Sequence, residues 1–212
     1  MIVVTTPMCK KIVEWAGLDE FKVNKHPSQE DGDFAILLSE SKVEMDSLAI
    51  KLNTFAQIKE SIKIVSDCLF EKNLIEKAID SESIQAIFND YKDNDSGLNY
   101  ALLDENGFNE IREANADKKV KVYSEFLKDI VSDIGASVID FKYNKNGNDE
   151  SDLELDYDYL VYPDYLEEEV LKRENLDMDN VKSIKIFSHN NISKDPILKA
   201  ESRYDTLING MK

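Results

Sequence analysis

The sequence predicts an α/β protein of two Rossmann-like lobes, with mainly parallel sheets around a cleft, joined by a helical segment. Three observations carry this. Short β-branched or apolar runs alternate with stretches of helical spacing, the pattern of a parallel sheet with helices on both faces. The order of elements at the start of the chain returns near Lys118. The 212 residues suffice for two small lobes or for one domain of about 150–200 residues. The predicted organisation is an N-terminal lobe over 1–72, a helical connector over 73–117 and a C-terminal lobe over 118–212.

In the first lobe, Ile2–Thr5 is a β-branched run and reads as a strand. Thr6 is placed to cap a helix, with Pro7 at its first position. Ile12, Val13, Trp15 and Ala16 give that helix an apolar face, and Gly17 stops it. Phe21–Val23 is a short strand, and 25–32 is a polar loop holding His26 at the surface. Phe34–Leu38 is continuously apolar, which suits a strand buried on both faces. Leu48–Leu52 is a weaker strand. Phe55, Ile58, Ile62, Val65 and Leu69 form one helical stripe.

The connector reads as a helix over Leu74–Tyr91, a turn over Asp93–Gly97 and a helix over Asn106–Ala114. The second lobe opens with a strand over Lys119–Tyr123. Ser124 caps a helix over Glu125–Ile134, and Gly135 closes it. Strands follow at Ser137–Asp140, Tyr157–Val161 and Ile184–Phe187, with helices at Tyr165–Arg173 and Pro196–Ile208. An acidic, Asn-rich loop covers Tyr143–Asp156.

Three blocks recur in the same order. Thr6–Gly17 lies over Ser124–Gly135, 118 positions later, sharing a hydroxyl cap and the Lys, Ile, Val and Gly positions. Asp33-Phe34-Ala35-Ile36 meets Asp158-Tyr159-Leu160-Val161, and Ser47-Leu48-Ala49-Ile50 meets Ser183-Ile184-Lys185-Ile186. The alternative is a single doubly wound domain, in which any two βα units look alike.

Charge narrows the function. There are 43 acidic and 26 basic residues, a net charge of −17, so bulk attraction to nucleic acid is excluded. No run approaches the ~18 apolar residues of a membrane span. Met1 leads directly into Ile2-Val3-Val4 without a leader-like stretch, so the expected location is cytoplasmic. Cys9 and Cys68 make no disulfide framework. With two His, a four-ligand Cys/His zinc site would need every one of them. There is no G-x-G-x-x-G, P-loop, G-x-S-x-G or H-E-x-x-H motif.

The stretch Thr5-Thr6-Pro7 through Gly17-Leu18-Asp19 resembles the opening of the class III periplasmic binding proteins. Asp33–Glu40, Ala49–Phe55 and Ile58–Ile62 are similar to that family's next segment. The resemblance covers about the first 70 residues, and the second lobe matches in order of elements. It implies two lobes holding a ligand such as vitamin B12, haem or an iron siderophore, on a fold shared with chelatases. The chain is expected to depart from the family in its signal peptide, in its short length and in a broken helical connector. The closing stretch Ser188-His189-Asn190-Asn191-Ile192, with Asp195-Pro196-Ile197 and Arg203-Tyr204, also resembles uncharacterised archaeal, methanogen-type proteins. That likeness implies a role near methanogenesis or its metal-tetrapyrrole cofactor.

In open α/β sheets the ligand crevice lies outside the carboxyl ends of the strands. That rule selects Thr6, Cys9, Glu40 and Asn53 from the first lobe and Ser124, Glu125, Asp164 and His189 from the second. Cys9, in a first helical turn beside Lys10 and Lys11, is expected to have a lowered pKa and with His189 is a candidate metal ligand. Otherwise Cys9 is a small core residue and His189 a solvated loop residue. Glu40, Glu125 and Asp164 could hold a cation or transfer protons, or simply cap helices. The N–H groups after Thr6 and Ser124 could meet an anion. Ten acids fall between Asp149 and Glu169, a solvated face or a docking surface for a protein partner.

Three functions remain open. The first is a cytoplasmic binding or assembly module, holding a metal-containing or anionic small ligand between two lobes or docking on a cofactor enzyme. The second is a chelatase-like or cofactor-modifying enzyme using His189 with Glu40 or Asp164. The third is a ligand-free structural subunit that docks through 149–169. The sequence identifies no cofactor.

Overall fold

Four short strands build the first sheet: β1 (Val3–Thr5), β2 (Lys22–Val23), β3 (Phe34–Leu38) and β4 (Ser47–Ile50). Their order is β2-β1-β3-β4, and every neighbouring pair is parallel. The two central strands, β1 and β3, are buried along almost their whole length, because a parallel sheet covered on both faces has no solvent side. The computed structural model describes residues 1–93, 98–139, 156–174, 182–188 and 194–212. It divides into two units, Met1–Leu102 with Ser193–Ala200, and Leu103–Ile192 with Glu201–Lys212.

The first unit carries α1 (Lys10–Trp15), α2 (Phe55–Glu71) and α3 (Ser81–Asp93). The predicted stripe of α2 is buried at Phe55, Ile58, Ile62, Val65 and Leu69. Two expectations need correction. Thr6 does not cap α1: a turn intervenes, with the Cys9 N–H bonded to the Thr6 carbonyl at 3.0 Å, and the helix begins at Lys10. The apolar spacing from Leu74 does not continue as a helix. Asn73 adopts φ +56°, and the Leu74 N–H reaches back to the Leu69 carbonyl at 2.9 Å, which closes α2 with a left-handed cap. Asp80 then starts α3 afresh by accepting the Ser83 N–H at 2.8 Å.

The second unit repeats the sheet with β5 (Lys119–Val122), β6 (Ser137–Ile139), β7 (Tyr159–Pro163) and β8 (Lys182–Ile186). Its order is β6-β5-β7-β8, again all parallel. The helices are α4 (Glu105–Asn115), α5 (Glu125–Asp133) and α6 (Glu167–Glu174), the last preceded by a 3-10 turn over Asp164–Leu166. The segment 73–117 thus contributes α3 to the first unit and α4 to the second. The final helix, α7 (Pro196–Gly210), starts in the first unit and ends in the second. The α/β two-lobe fold class read from the sequence is the observed one.

Register makes the correspondence quantitative. Val3 pairs with Phe34 and Val120 with Tyr159, while Ala35 pairs with Ser47 and Leu160 with Ser183. So the two strand blocks that matched in sequence occupy matching rungs. The helices that follow β1 and β5 end alike, with Gly17 at φ +97° and Gly135 at φ +87°. A left-handed backbone at that place favours glycine.

The loop over 140–155 lies outside the described residues, and so do four of the ten acids placed between 149 and 169. The described remainder is partly tied to its own sheet. Asp156 pairs with Lys119 at 2.7 Å, Glu167 with Lys185 at 2.9 Å, and Asp164 accepts the Ser188 N–H at 3.1 Å. Among the described residues no helix is long and apolar enough to cross a membrane.

Candidate functional site

The carboxyl ends of β1 and β3 open onto a cavity of about 280 Å³. It is lined by Thr6 after β1, Leu37 of β3, Ser41, Lys42 and Val43 after β3, and Lys25, His26 and Pro27 after β2. Its walls are braced. The Asp31 carboxylate accepts from Asn24 Nδ2 at 2.9 Å, from the Ser28 N–H at 2.8 Å and from Ser28 Oγ at 2.9 Å. These hydrogen bonds, that from Asn24 first, hold its pKa below the ordinary value. Gln29 donates to the Glu44 carbonyl and so fastens the loop after β2 to the loop after β3.

The predicted residues distribute unevenly around this place. Thr6 lines the cavity, and its buried Oγ1 makes no hydrogen bond among the described residues; the Cys9 thiol beside it is a weak partner at best. Cys9 is fully buried, as the residue before α1 rather than within its first turn. Burial pushes its thiol pKa up to about 11, with the Glu40 charge adding to the rise and Thr6, Leu38 and Lys199 opposing it. The expected depression by a helix N-terminus is therefore corrected, since loss of hydration outweighs it. The thiol is neutral near pH 7, which suits packing better than metal ligation.

Glu40 follows β3 and is exposed. Asn53 is buried, and its N–H donates to Gln57 Oε1 at 3.1 Å while the Gln57 N–H donates to Thr54 Oγ1 at 3.2 Å. That reciprocal pair starts α2, so Asn53 takes part in helix capping. Ser124 precedes α5 without a side-chain cap, and the exposed Glu125 pairs with Lys128 at 2.7 Å. Asp164 ties the end of β7 to Ser188 beyond β8. Its burial would raise its pKa, but hydrogen bonds from Ser188 and Tyr165 hold it lower than usual. His189 lies outside the described residues.

Two features of the second unit escaped the sequence reading. Lys121 on β5 and Glu174 at the end of α6 form an ion pair at 2.8 Å, their side chains 1% and 4% exposed. Tyr157 donates to the same carboxylate at 2.5 Å, and Tyr123 donates to it as well. Burial alone would raise the Glu174 pKa, yet the bonds from Lys121, Tyr123 and Tyr157 and the lysine charge pull it below the ordinary value. Burial first, then Glu174, raises both phenols well above theirs. The alternation Lys119-Val120-Lys121-Val122 reads as lysines facing water, and this hid the pair. The second feature is Arg203 on α7, buried with its guanidinium 4.6 Å from the centre of the Phe126 ring. Burial lowers its pKa to about 10, and its Nε has no hydrogen-bond partner among the described residues.

Comparison with known proteins places the fold. The chain is similar to the periplasmic zinc-binding protein TroA from Treponema pallidum, with a TM-score of 0.59, 9% identity and coverage of 99% of this chain and 98% of that one. It is similar to a zinc-bound variant of AdcAII from Streptococcus pneumoniae, with a TM-score of 0.57, 12% identity and coverage of 100% and 99%. It is also similar to the metal-dependent lipoprotein YcdH from Bacillus subtilis, with a TM-score of 0.53, 10% identity and coverage of 99% of each. At these identities the likeness shows the fold alone, the α/β two-lobe architecture that these metal-binding proteins share. No family model matches the sequence, and no curated protein sequence matches it.

The cytoplasmic expectation is corrected by the same comparison. One of these structures is named periplasmic and another a lipoprotein, which points away from the cytoplasm. The archaeal, methanogenesis and chelatase likenesses find no counterpart in these structures. Nor do the described residues fit a metal such as those similar structures are named for. No three His, Cys, Asp or Glu side chains among them come together in a way that could hold an ion, and Cys9 carries a neutral thiol.

Proposed function

We propose that the chain is an extracytoplasmic binding module on the substrate-binding-protein fold. It takes a small metal-containing or anionic ligand at the carboxyl ends of its strands. One observation carries the reading: a braced cavity of about 280 Å³ opens where β1 and β3 end, the place where open α/β sheets receive ligands. Its size is at the lower end for ligand pockets and suits a small molecule. The fold supports it, because the similar solved structures are named for metal binding.

The test is a calorimetric and thermal-melting screen of the full chain with zinc, manganese, inorganic phosphate and citrate. A true ligand binds saturably at one site per chain, and at a hundredfold excess over Kd it stabilises by about 2.7 kcal/mol. If none of these binds saturably, the reading fails.

A further inference from the structure

The cavity of the first unit is basic in an acidic protein. Acids outnumber bases by 43 to 26 in the chain, yet the lining contains Lys25, His26 and Lys42 and no carboxylate. Neither Lys25 nor Lys42 forms an ion pair among the described residues. The hydroxyls of Thr6 and Ser41 complete a set of donors with no acceptor anion. The bracing by Asp31 and by the Gln29–Glu44 bond holds the loops that carry them.

The second unit covers the corresponding sheet face in a different way. By strand register, Val4 and Thr6 correspond to Lys121 and Tyr123, and Leu37 corresponds to Tyr162. Over that face the second unit lays α6, whose Glu174 brings a carboxylate to Lys121, Tyr123 and Tyr157. The first unit has no helix there. The chain from β3 to β4 is a loop, 39–46, whose Val43 and Met45 pack on Val4, Ala35 and Leu37. The protein's own carboxylate covers that face in one unit; in the other Val43 and Met45 cover it, and the cavity with its lysines lies beside them at the strand ends.

We infer that this cavity is a binding site for a small oxyanion, phosphate or a short dicarboxylate, held by Lys25, Lys42, His26 and the Thr6 and Ser41 hydroxyls. The inference rests on the binding reading above and names its ligand class. Charge-assisted hydrogen bonds from two lysines supply the affinity, and the hydroxyls orient the oxygens. A bare divalent cation is repelled by the same side chains.

The experiment titrates the full chain by calorimetry with inorganic phosphate, with succinate and with zinc chloride, in the wild type, in K25Q/K42Q and in T6V. The lysines are exposed, so the double variant keeps its melting temperature. Phosphate or succinate is expected to bind the wild type, and its Kd rises at least about tenfold in K25Q/K42Q. T6V weakens it less, and zinc binding does not follow the lysines. Anion affinity unchanged in K25Q/K42Q overturns the site. Zinc binding with no anion binding overturns the oxyanion class and leaves the binding module standing. Binding of none of the three overturns both.

Discussion

The two units share a frame and differ in how they close one face of it. Both sheets have the same strand order, register and helix-ending glycine. On the face formed by Val4, Ala35 and Leu37, the first unit uses a loop and a small apolar cluster. On the equivalent face the second unit packs Tyr123, Leu160, Tyr162 and Val170 under α6, around a buried lysine–glutamate pair. The contrast teaches that topology and interior chemistry are set separately here. Strand order follows from the alternation of apolar runs and helices, whereas the loop-for-helix exchange between the third and fourth strands decides which side chains cover that face.

The largest expected effect comes from breaking the closure of the second unit. Lys121→Met leaves the Glu174 carboxylate buried beside two phenols and without its cation. The expected cost is about 3–5 kcal/mol in urea unfolding. K121M/E174L removes both charges and restores most of that stability, because desolvating an ion pair offsets much of its Coulombic gain. If the single and double variants are equally destabilised, packing rather than charge holds α6 down.

The second comparison concerns the matched glycines. Gly17→Ala forces a left-handed alanine into open space, since the nearest atom to a new Cβ is Ile75 Cδ1 at 4.0 Å. It should cost about 1–2 kcal/mol. Gly135→Ala carries the same backbone strain and in addition places its Cβ 2.5 Å from the Arg112 carbonyl oxygen. It should cost clearly more, read as a larger drop in urea midpoint. Equal losses would show that α4 yields freely.

Acid and alkali should separate the units. The Glu174 pKa is lowered in the fold, so its contribution is present above the unfolded carboxylate value, ~4.3, and is lost as pH falls through the folded value. The Tyr123 and Tyr157 pKa values are raised, so their contribution is present below the unfolded phenol value, ~10, and is lost as pH rises through the folded values. Amide exchange across pH should therefore show the strands of the second unit loosening at both extremes more than those of the first. E174Q should flatten the acid limb. An acid response unchanged in E174Q would remove the cluster from the account.

Much of the frame was legible because it rests on local signals. Phe34–Leu38 is apolar at every position, and Gly17 and Gly135 punctuate two helices at the same point. The site was less legible. Thr6 reached the cavity, but the rule about strand ends could not tell it from Asn53, which is occupied in starting α2. Lys25, His26 and Lys42 looked like ordinary surface loop residues, since their common orientation depends on Asp31 and Gln29 fastening two loops. Cys9 misled because the pull of a helix terminus on a thiol is outweighed by desolvation once the thiol is buried.

The smallest effect tests whether the frame is as equivalent as its register implies. Asp33 accepts the Ile2 N–H at 2.6 Å and donates its own N–H to the Ile2 carbonyl at 2.8 Å. Asp158 does the same with Lys119, at 2.8 and 2.9 Å. Each aspartate clamps the start of a central strand to its neighbour at a solvated edge. Asp33→Ala and Asp158→Ala should each cost about 0.5–1 kcal/mol, the net worth of an exposed hydrogen bond. The double variant should lose the sum within about 0.5 kcal/mol, because distant sites add. A marked inequality between the single variants would mean that one clamp serves more than its strand. Asp158 is the one to watch, because Lys119 beside it also pairs with Asp156.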